Sequence, residues 1–336
     1  LYPALRAAYL KAASDLLYDG DSVSAGMIYT ELFKPEHPGH IRAAALSGLV
    51  ATNPDKALET VSAALSDTEA QVAHIAIGQM RGIPGEAATA QFAKMLPQAA
   101  PETQVLLLDA LAQRGDASAR DAVSALLSAE NPVVLEASIK ATGKLGGAAV
   151  VDSLIGLAIE GPGNAPREAR LALASLPAED VNPALLQVAQ GEDAQRAAMA
   201  LRALAERRAL DTRGAVMELA KTGAPDRQQE ALKALQGLAT AEEIPALLGM
   251  LENPEESVRR EAERTLIAVA QRSGPEAMQP VLQAYEAAQD PAAKSRLLSV
   301  IATAGSDSDT LPVLRAALKS DADELRAAAV RSLGNW

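Results

Sequence analysis

A short amphipathic segment returns along this chain every 28 to 35 residues, and that recurrence restricts the fold more than any other feature. It is seen at Ile41–Leu49 (IRAAALSGL), Pro166–Leu176, Gln195–Leu204, Gln229–Leu238, Val258–Leu266 and Leu325–Leu333 (LRAAAVRSL). Anchors at Leu49, Met80, Leu111, Leu145, Leu176, Leu204, Leu238, Val269, Ala304 and Leu333 give a mean spacing of roughly 32 residues. The scatter suits stacked units with loops of unequal length, not a rigid propeller. A chain of 336 residues would otherwise be expected to divide into two or three globular domains.

Each period reads as two helices. From Ala241 to Gly274, the residues Ile244, Leu247, Leu248 and Leu251 fall on one helical stripe. Asn253-Pro254 then interrupts, Asn as an N-cap and Pro at the first helical position. Val258, Ala262, Leu266 and Val269 form the stripe of the second helix, with Arg259, Arg260, Glu263 and Arg264 largely opposite. Asn131-Pro132 and Asp290-Pro291 repeat the break inside a unit, and Asn53-Pro54 marks a boundary between units. β-Branched and aromatic residues are sparse, and no alternation of period two is sustained. Ala, Leu, Glu, Arg and Gln dominate and favour helix. One pair of about 30 residues cannot bury its own stripe, so neighbouring pairs must stack. The expectation is an all-α superhelix of about ten two-helix units, on the order of 90–100 Å long, curved, with one set of helices lining a concave face.

Two-helix units with Asn/Asp-Pro at the inner turn, then Val-Arg or a variant, then small residues and a closing Leu, resemble HEAT repeats, in particular short bacterial HEAT-like repeats of the phycobilisome-lyase type. Asn253-Pro254 followed by Val258-Arg259 is the best match; Asp290-Pro291 with Arg296, and Asp323 with Leu325-Arg326, are also good. Thr68–Gly82 and Pro101–Arg114 keep the apolar pattern without the Arg. The resemblance covers roughly residues 22–336 and implies an interaction scaffold. It also implies that Arg42, Arg196, Arg227, Arg259, Arg296 and Arg326, near the starts of second helices, pair with acids at adjacent turns in a ladder.

The two ends differ from the middle. Five of the eight aromatic residues, Tyr2, Tyr9, Tyr18, Tyr29 and Phe33, lie within residues 1–33. Leu5, Tyr9, Ala12 and Leu16 form one predicted stripe, and Ala25–Leu32 resembles a tetratricopeptide-type helix. Residues 1–52 are read as an N-terminal capping unit, with a docking surface as the alternative. Residues 53–336 are read as the array. Its last helix carries no polar cap, so the natural protein is expected to continue beyond Trp336. Such arrays occur in large secreted or envelope-associated proteins, so a periplasmic or secreted location is slightly favoured.

Chemistry is thinly represented. There is no cysteine, which excludes disulfides, zinc–thiolate sites and cysteine nucleophiles. With 43 acidic against 31 basic residues the net charge is −12, which argues against a nucleic-acid partner. No apolar run is long enough to span a membrane. Three histidines, His37, His40 and His74, are the obvious metal candidates. His37-Pro38-Gly39-His40 is read as a solvated turn, and His74 as a satisfied groove or core residue. No His-Glu dipeptide is present, unlike the di-iron deoxyhypusine hydroxylases that share the HEAT-like build. Gly20-Asp21-Ser22 is read as a turn with a helix cap, and Gly161–Asn164 as a long inter-helix loop without a phosphate cradle. The carboxylate pairs Glu242-Glu243, Glu255-Glu256, Asp307 with Asp309 and Asp321 with Asp323 sit where acids complement helix dipoles. Lys140, Lys144, Arg202, Lys233, Arg264 and Arg331, further along the second helices, are candidates to meet an acidic partner. No catalytic, cofactor or metal residue is assigned, and no cofactor is expected. The function expected is a scaffold for a protein partner. A targeting arm of a larger secreted enzyme, and a lyase-type or small-ligand-handling protein, remain the alternatives.

Overall fold

The computed structural model describes residues 3–334, apart from the side chains of 275, 307 and 309. Tyr2 and Trp336 lie outside the described residues, as do the side chains of the Asp307 and Asp309 pair. Within the described residues there are twenty-one α-helices and no strand. The chain divides into two compact units, residues 1–179 and 180–336.

The first unit opens with α1 (Pro3–Tyr18) and continues as five pairs. These are α2 (Ser22–Leu32) with α3 (Gly39–Thr52), α4 (Ala57–Leu65) with α5 (Ala70–Gln79), and α6 (Glu86–Ala93) with α7 (Pro101–Arg114). They are followed by α8 (Arg120–Ser124) with α9 (Pro132–Leu145), and α10 (Val151–Glu160) with α11 (Ala165–Ser175). The second unit also holds five: α12 (Val181–Gln190) with α13 (Ala194–Glu206), α14 (Arg213–Thr222) with α15 (Pro225–Leu238), and α16 (Ile244–Met250) with α17 (Glu256–Ser273). It closes with α18 (Met278–Ala287) and α19 (Pro291–Ala304), then α20 (Asp307–Ala317) and α21 (Asp323–Gly334). Within each unit every second helix packs on its own partner and on the second helix of the next pair. This is the all-α solenoid architecture that the period demanded. Each of the ten anchor residues falls on or at the end of a second helix.

The stripes read from the sequence are the core. Val258, Ala262, Leu266 and Val269 are fully buried, as are Ile244 and Leu247. Helix starts follow the capping rules at Asn131, Asp193 and Asp290, whose side chains accept from amides two or three residues on. Asn253-Pro254 departs from them. Asn253 Oδ1 accepts from the Glu255 amide at 2.9 Å, and the helix starts only at Glu256. The Asn side chain closes a local turn instead of capping the helix. Single turns of 3-10 helix precede α4, α8, α10, α14, α16 and α18, a variation the apolar period does not encode.

The first helix corrects its predicted stripe. Leu5, Tyr9 and Ala12 are exposed; α1 packs instead through Ala13, with Leu10, Leu16 and Leu17, onto Ala25, Tyr29, Leu32, Ile41 and Ala45. Apolar residues line two sides of α1, and contact with α2 and α3 selects one of them. The close approach of α2 and α3 depends on Gly48, where any Cβ would collide with the Tyr29 ring.

Candidate interaction surfaces

The arginines divide by what they hold. Arg42 meets the expectation: it forms a largely buried, two-pronged pair with Asp67 in the turn between α4 and α5, with Nη2 to Oδ1 at 3.0 Å. Arg227 and Arg259 correct it, and Arg326 meets it in part. Arg227 donates to the Gly191 carbonyl. Arg259 donates to the carbonyls of Asn253 and Pro254 at 2.6 and 2.7 Å, and Arg326 to that of Ser320 at 2.6 Å, as well as pairing with Asp323. Turns leave carbonyls without intrahelical partners, and a guanidinium fork satisfies two at once.

A second set of staples was missed in the sequence because it sits at the other end of the helix. Arg114, last residue of α7, reaches back one repeat to the carbonyls of Met80, Ile83 and Gly85 and to Thr89 Oγ1, and stacks 5.6 Å over the Phe92 ring. Arg272, near the end of α17, does the same for the carbonyls of Gln236 and Ala239. The signal available was a basic residue in the last turn of a second helix, a common placement that by itself specifies no target.

The carboxylate pairs are structural where described. Glu243 completes a capping box with Thr240, and Arg213 bridges Glu242 and Glu243 at 3.0 Å each. Glu256 pairs with Arg260, and Asp323 with Arg326. Asp21 caps α2 by accepting from the Ser24 amide at 3.0 Å. Hydrogen bonds from Ser24 hold its carboxyl below the usual range. Gly161–Asn164 is a four-residue connection, shorter than expected.

The histidines separate. His37 is buried, not solvated, and its Nδ1 lacks a hydrogen-bond partner. His40 and His74 are exposed, so a core place for His74 is corrected: Val72, Ala73, Ala76 and Ile77 take the inward face of α5 and turn His74 outward. Although 34 positions apart, His40 and His74 line one cavity of about 610 Å³ across α3, α5 and α7, with Ile75, Glu102 and Leu106. Its wall is chiefly apolar. Among the described residues no three His, Asp or Glu side chains converge as a metal site would need.

A second open cavity of about 610 Å³ lies across α17, α19 and α21 and is polar. Arg296 and Arg331 line it with Ser295, Ser299 and Ser332, and Glu263 is the carboxylate in the wall. Both large cavities are troughs between neighbouring second helices. No helix among the described residues is long and apolar enough to cross a membrane.

Comparison with known proteins agrees with this architecture. The sequence profile described as HEAT repeats matches residues 89–174 and 182–267, together just over half the chain. No curated protein sequence matches. Among solved structures, the chain is similar to a mutant of Kap121p, with a TM-score of 0.53 and 12% identity over 90% of this chain and 40% of that one. It is equally similar to Kap121p bound to Nup53p, with a TM-score of 0.53 and 13% identity over 97% and 44%. Human deoxyhypusine hydroxylase in complex with glycerol matches at 18% identity over 76% and 99%, but its TM-score of 0.33 carries no argument. At these identities the likeness is one of fold, and the chain spans less than half the length of Kap121p.

Proposed function

Because this chain belongs to the HEAT-repeat family, we propose that it works as a protein-binding scaffold with no reaction of its own. The observation that carries this reading is the form of its cavities. They are open troughs shared by successive second helices; His40, His74 and Glu102 stand in one and Glu263, Arg296 and Arg331 in the other, and among the described residues no three His, Asp or Glu side chains converge as a metal centre would need. Catalytic sites gather perturbed, mutually facing acids and bases in a cleft. The groups whose protonation is shifted lie outside both troughs: Asp21, Glu31, Lys34, Asp116, Glu136 and Lys140 are surface partners of caps and short-range ion pairs, and partial burial lowers Arg207 and raises Tyr285. A preformed tier of helices offers area for contact at small ordering cost. The fold neighbour Kap121p, solved bound to Nup53p, gives a precedent for such use.

Residues 1–52 have two proposed roles, cap and docking surface. A cap needs a polar outer face. Leu5 and Tyr9 on α1, and Tyr18, Val23 and Met27 near or on α2, are exposed instead, which favours docking.

The test is capture of partners from a lysate of the source organism, followed by reconstitution of a purified pair. A stoichiometric complex weakened by Leu106→Ser or Tyr9→Ser, with helicity unchanged, is the expected result. A tightly held small molecule with no protein complex would overturn the reading.

A further inference from the structure

The second helices of residues 180–336 carry a repeated charge. The ninth residue is Arg202 in α13, Lys233 in α15, Arg264 in α17 and Arg331 in α21, and all four are exposed. In α19 the ninth residue is Ser299, and the cation stands one turn earlier, at Arg296. Neighbouring second helices pack side by side, so equal register places these groups along one track.

The members of the track differ in what they hold. Lys233 is paired with Glu230 at 2.6 Å and Arg264 with Glu261 at 3.2 Å, each within its own helix. Arg296 and Arg331 have no acid or carbonyl partner among the described residues, and Arg296 Nε is shut off from water without an acceptor. Both line the polar cavity across α17, α19 and α21, where Glu263 supplies the opposing charge and the serines supply hydroxyls. Elsewhere in this unit Arg213, Arg227, Arg259 and Arg272 are fixed on carbonyls or carboxylates, whereas Arg202, on the track but outside this cavity, is like Arg296 and Arg331 in holding neither among the described residues. Two unanswered forks in one cavity suit ligand carboxylates, which accept two parallel N–H bonds each.

We propose that this track binds an extended acidic segment of a partner protein, anchored by its carboxylates on Arg296 and Arg331. The inference rests on the scaffold reading and specifies its partner. Packed helices stand about 8–10 Å apart. A polyproline-II segment advances about 3.1 Å per residue with three residues per turn, so every third side chain returns to one face after roughly 9 Å. Acids spaced three residues apart therefore meet successive helices. A nucleic acid fits poorly. The chain carries a net charge of −12, and none of the lining residues is an aromatic on which bases would stack.

The experiment measures binding of fluorescein-labelled peptides by anisotropy at low salt. The probes are Asp-Pro-Ser repeated four times, a peptide of the same composition with its aspartates contiguous, the Lys-Pro-Ser counterpart, and an oligothymidylate of equal charge. The spaced acidic peptide should bind tightest and weaken with salt. Arg296→Gln with Arg331→Gln should lower its affinity at least about tenfold, and the double Lys variant should recover part of that. Arg315→Gln, which removes an exposed charge on α20 outside the track, should change it less than about twofold. Circular dichroism confirms that each variant folds. Absent binding, binding that the double Gln variant leaves unchanged, or tighter binding of the oligothymidylate would each overturn the proposal. If a captured protein partner still binds the double Gln variant as before, the acidic-track proposal falls and the scaffold reading stands.

Discussion

Replacing Arg114 with Gln tests whether the repeats are locked together by side chain-to-carbonyl staples. Arg114 joins the end of α7 to the end of the preceding repeat: Nη1 to the Met80 and Ile83 carbonyls, the latter at 2.8 Å, Nη2 to Gly85 at 3.2 Å, and Nε to Thr89 Oγ1 at 2.8 Å. Thr89, Met80 and Ile83 are buried, so water cannot freely replace the lost donor. A hydrogen bond from a charged donor contributes about 1.5–3 kcal/mol, and bonds from one group add incompletely. Gly85 lies in the exposed turn and is discounted. Two partly buried carbonyls and one buried hydroxyl give a cost of about 3 kcal/mol. Arg260→Gln is the comparison, because it removes only an exposed pair with Glu256 one turn away and should cost about 0.3–0.5 kcal/mol. Repeat arrays depart from two-state unfolding, so the sharper assay is hydrogen exchange. Opening of the α5–α7 region should rise about a hundredfold in Arg114→Gln, with the end of α5 and the start of α6 most affected. An increase below about threefold, or one spread evenly over residues 1–336, would show that apolar stacking alone fastens this junction.

Three further outcomes follow from the same geometry. Asp67→Asn should destabilise the α3–α5 junction by about 3 kcal/mol, measured by hydrogen exchange of those helices, since it strands the buried Arg42 charge; a loss under about 1 kcal/mol would mean water reaches that pair. Gly48→Ala should cost about 1–3 kcal/mol through collision with Tyr29, and Tyr29→Leu in the same chain should recover part of it; equal stability of Gly48→Ala and the parent would refute the close approach. The Asp21 carboxyl is held below its usual value by hydrogen bonds from Ser24, so its contribution to the start of α2 is complete above the ordinary Asp range and is lost as pH falls through the lowered value. Carboxyl shifts followed by NMR should show Asp21 titrating at lower pH than an Asp21 model peptide; coincident titrations would remove the cap.

The period was legible because burial imposes it. A helix that must face both its partner and the next pair shows the same small and aliphatic residues each time it recurs, so the ten second helices could be located from Leu49 to Leu333. The first helices were less regular. α8 is five residues long and is flanked by 3-10 turns, a shortening that leaves Val123 and Leu127 buried without lengthening the apolar run. The exposed stripe of α1 shows the limit of periodicity from the other side. Where both faces of a helix carry apolar residues, the pattern gives the helix and the neighbour gives the orientation.

The polar surface was less legible for a related reason. Apolar contacts repeat with the fold, but the partner of a charged group is set by distances between turns, which a one-dimensional reading does not contain. Arg42 and Arg227 lie near equivalent helix starts; one meets a carboxylate and the other a carbonyl, because Asp67 stands in the turn that faces Arg42. Arg296 stands two or three positions further along its helix than Arg42 and Arg227 do along theirs; it has neither partner among the described residues and faces the trough shared with α21. The resemblance to HEAT repeats implied one structural task for the arginines that recur near the starts of second helices. The structure divides that set, and the member without a carboxylate or carbonyl to hold is the one placed where another protein's acid would fit.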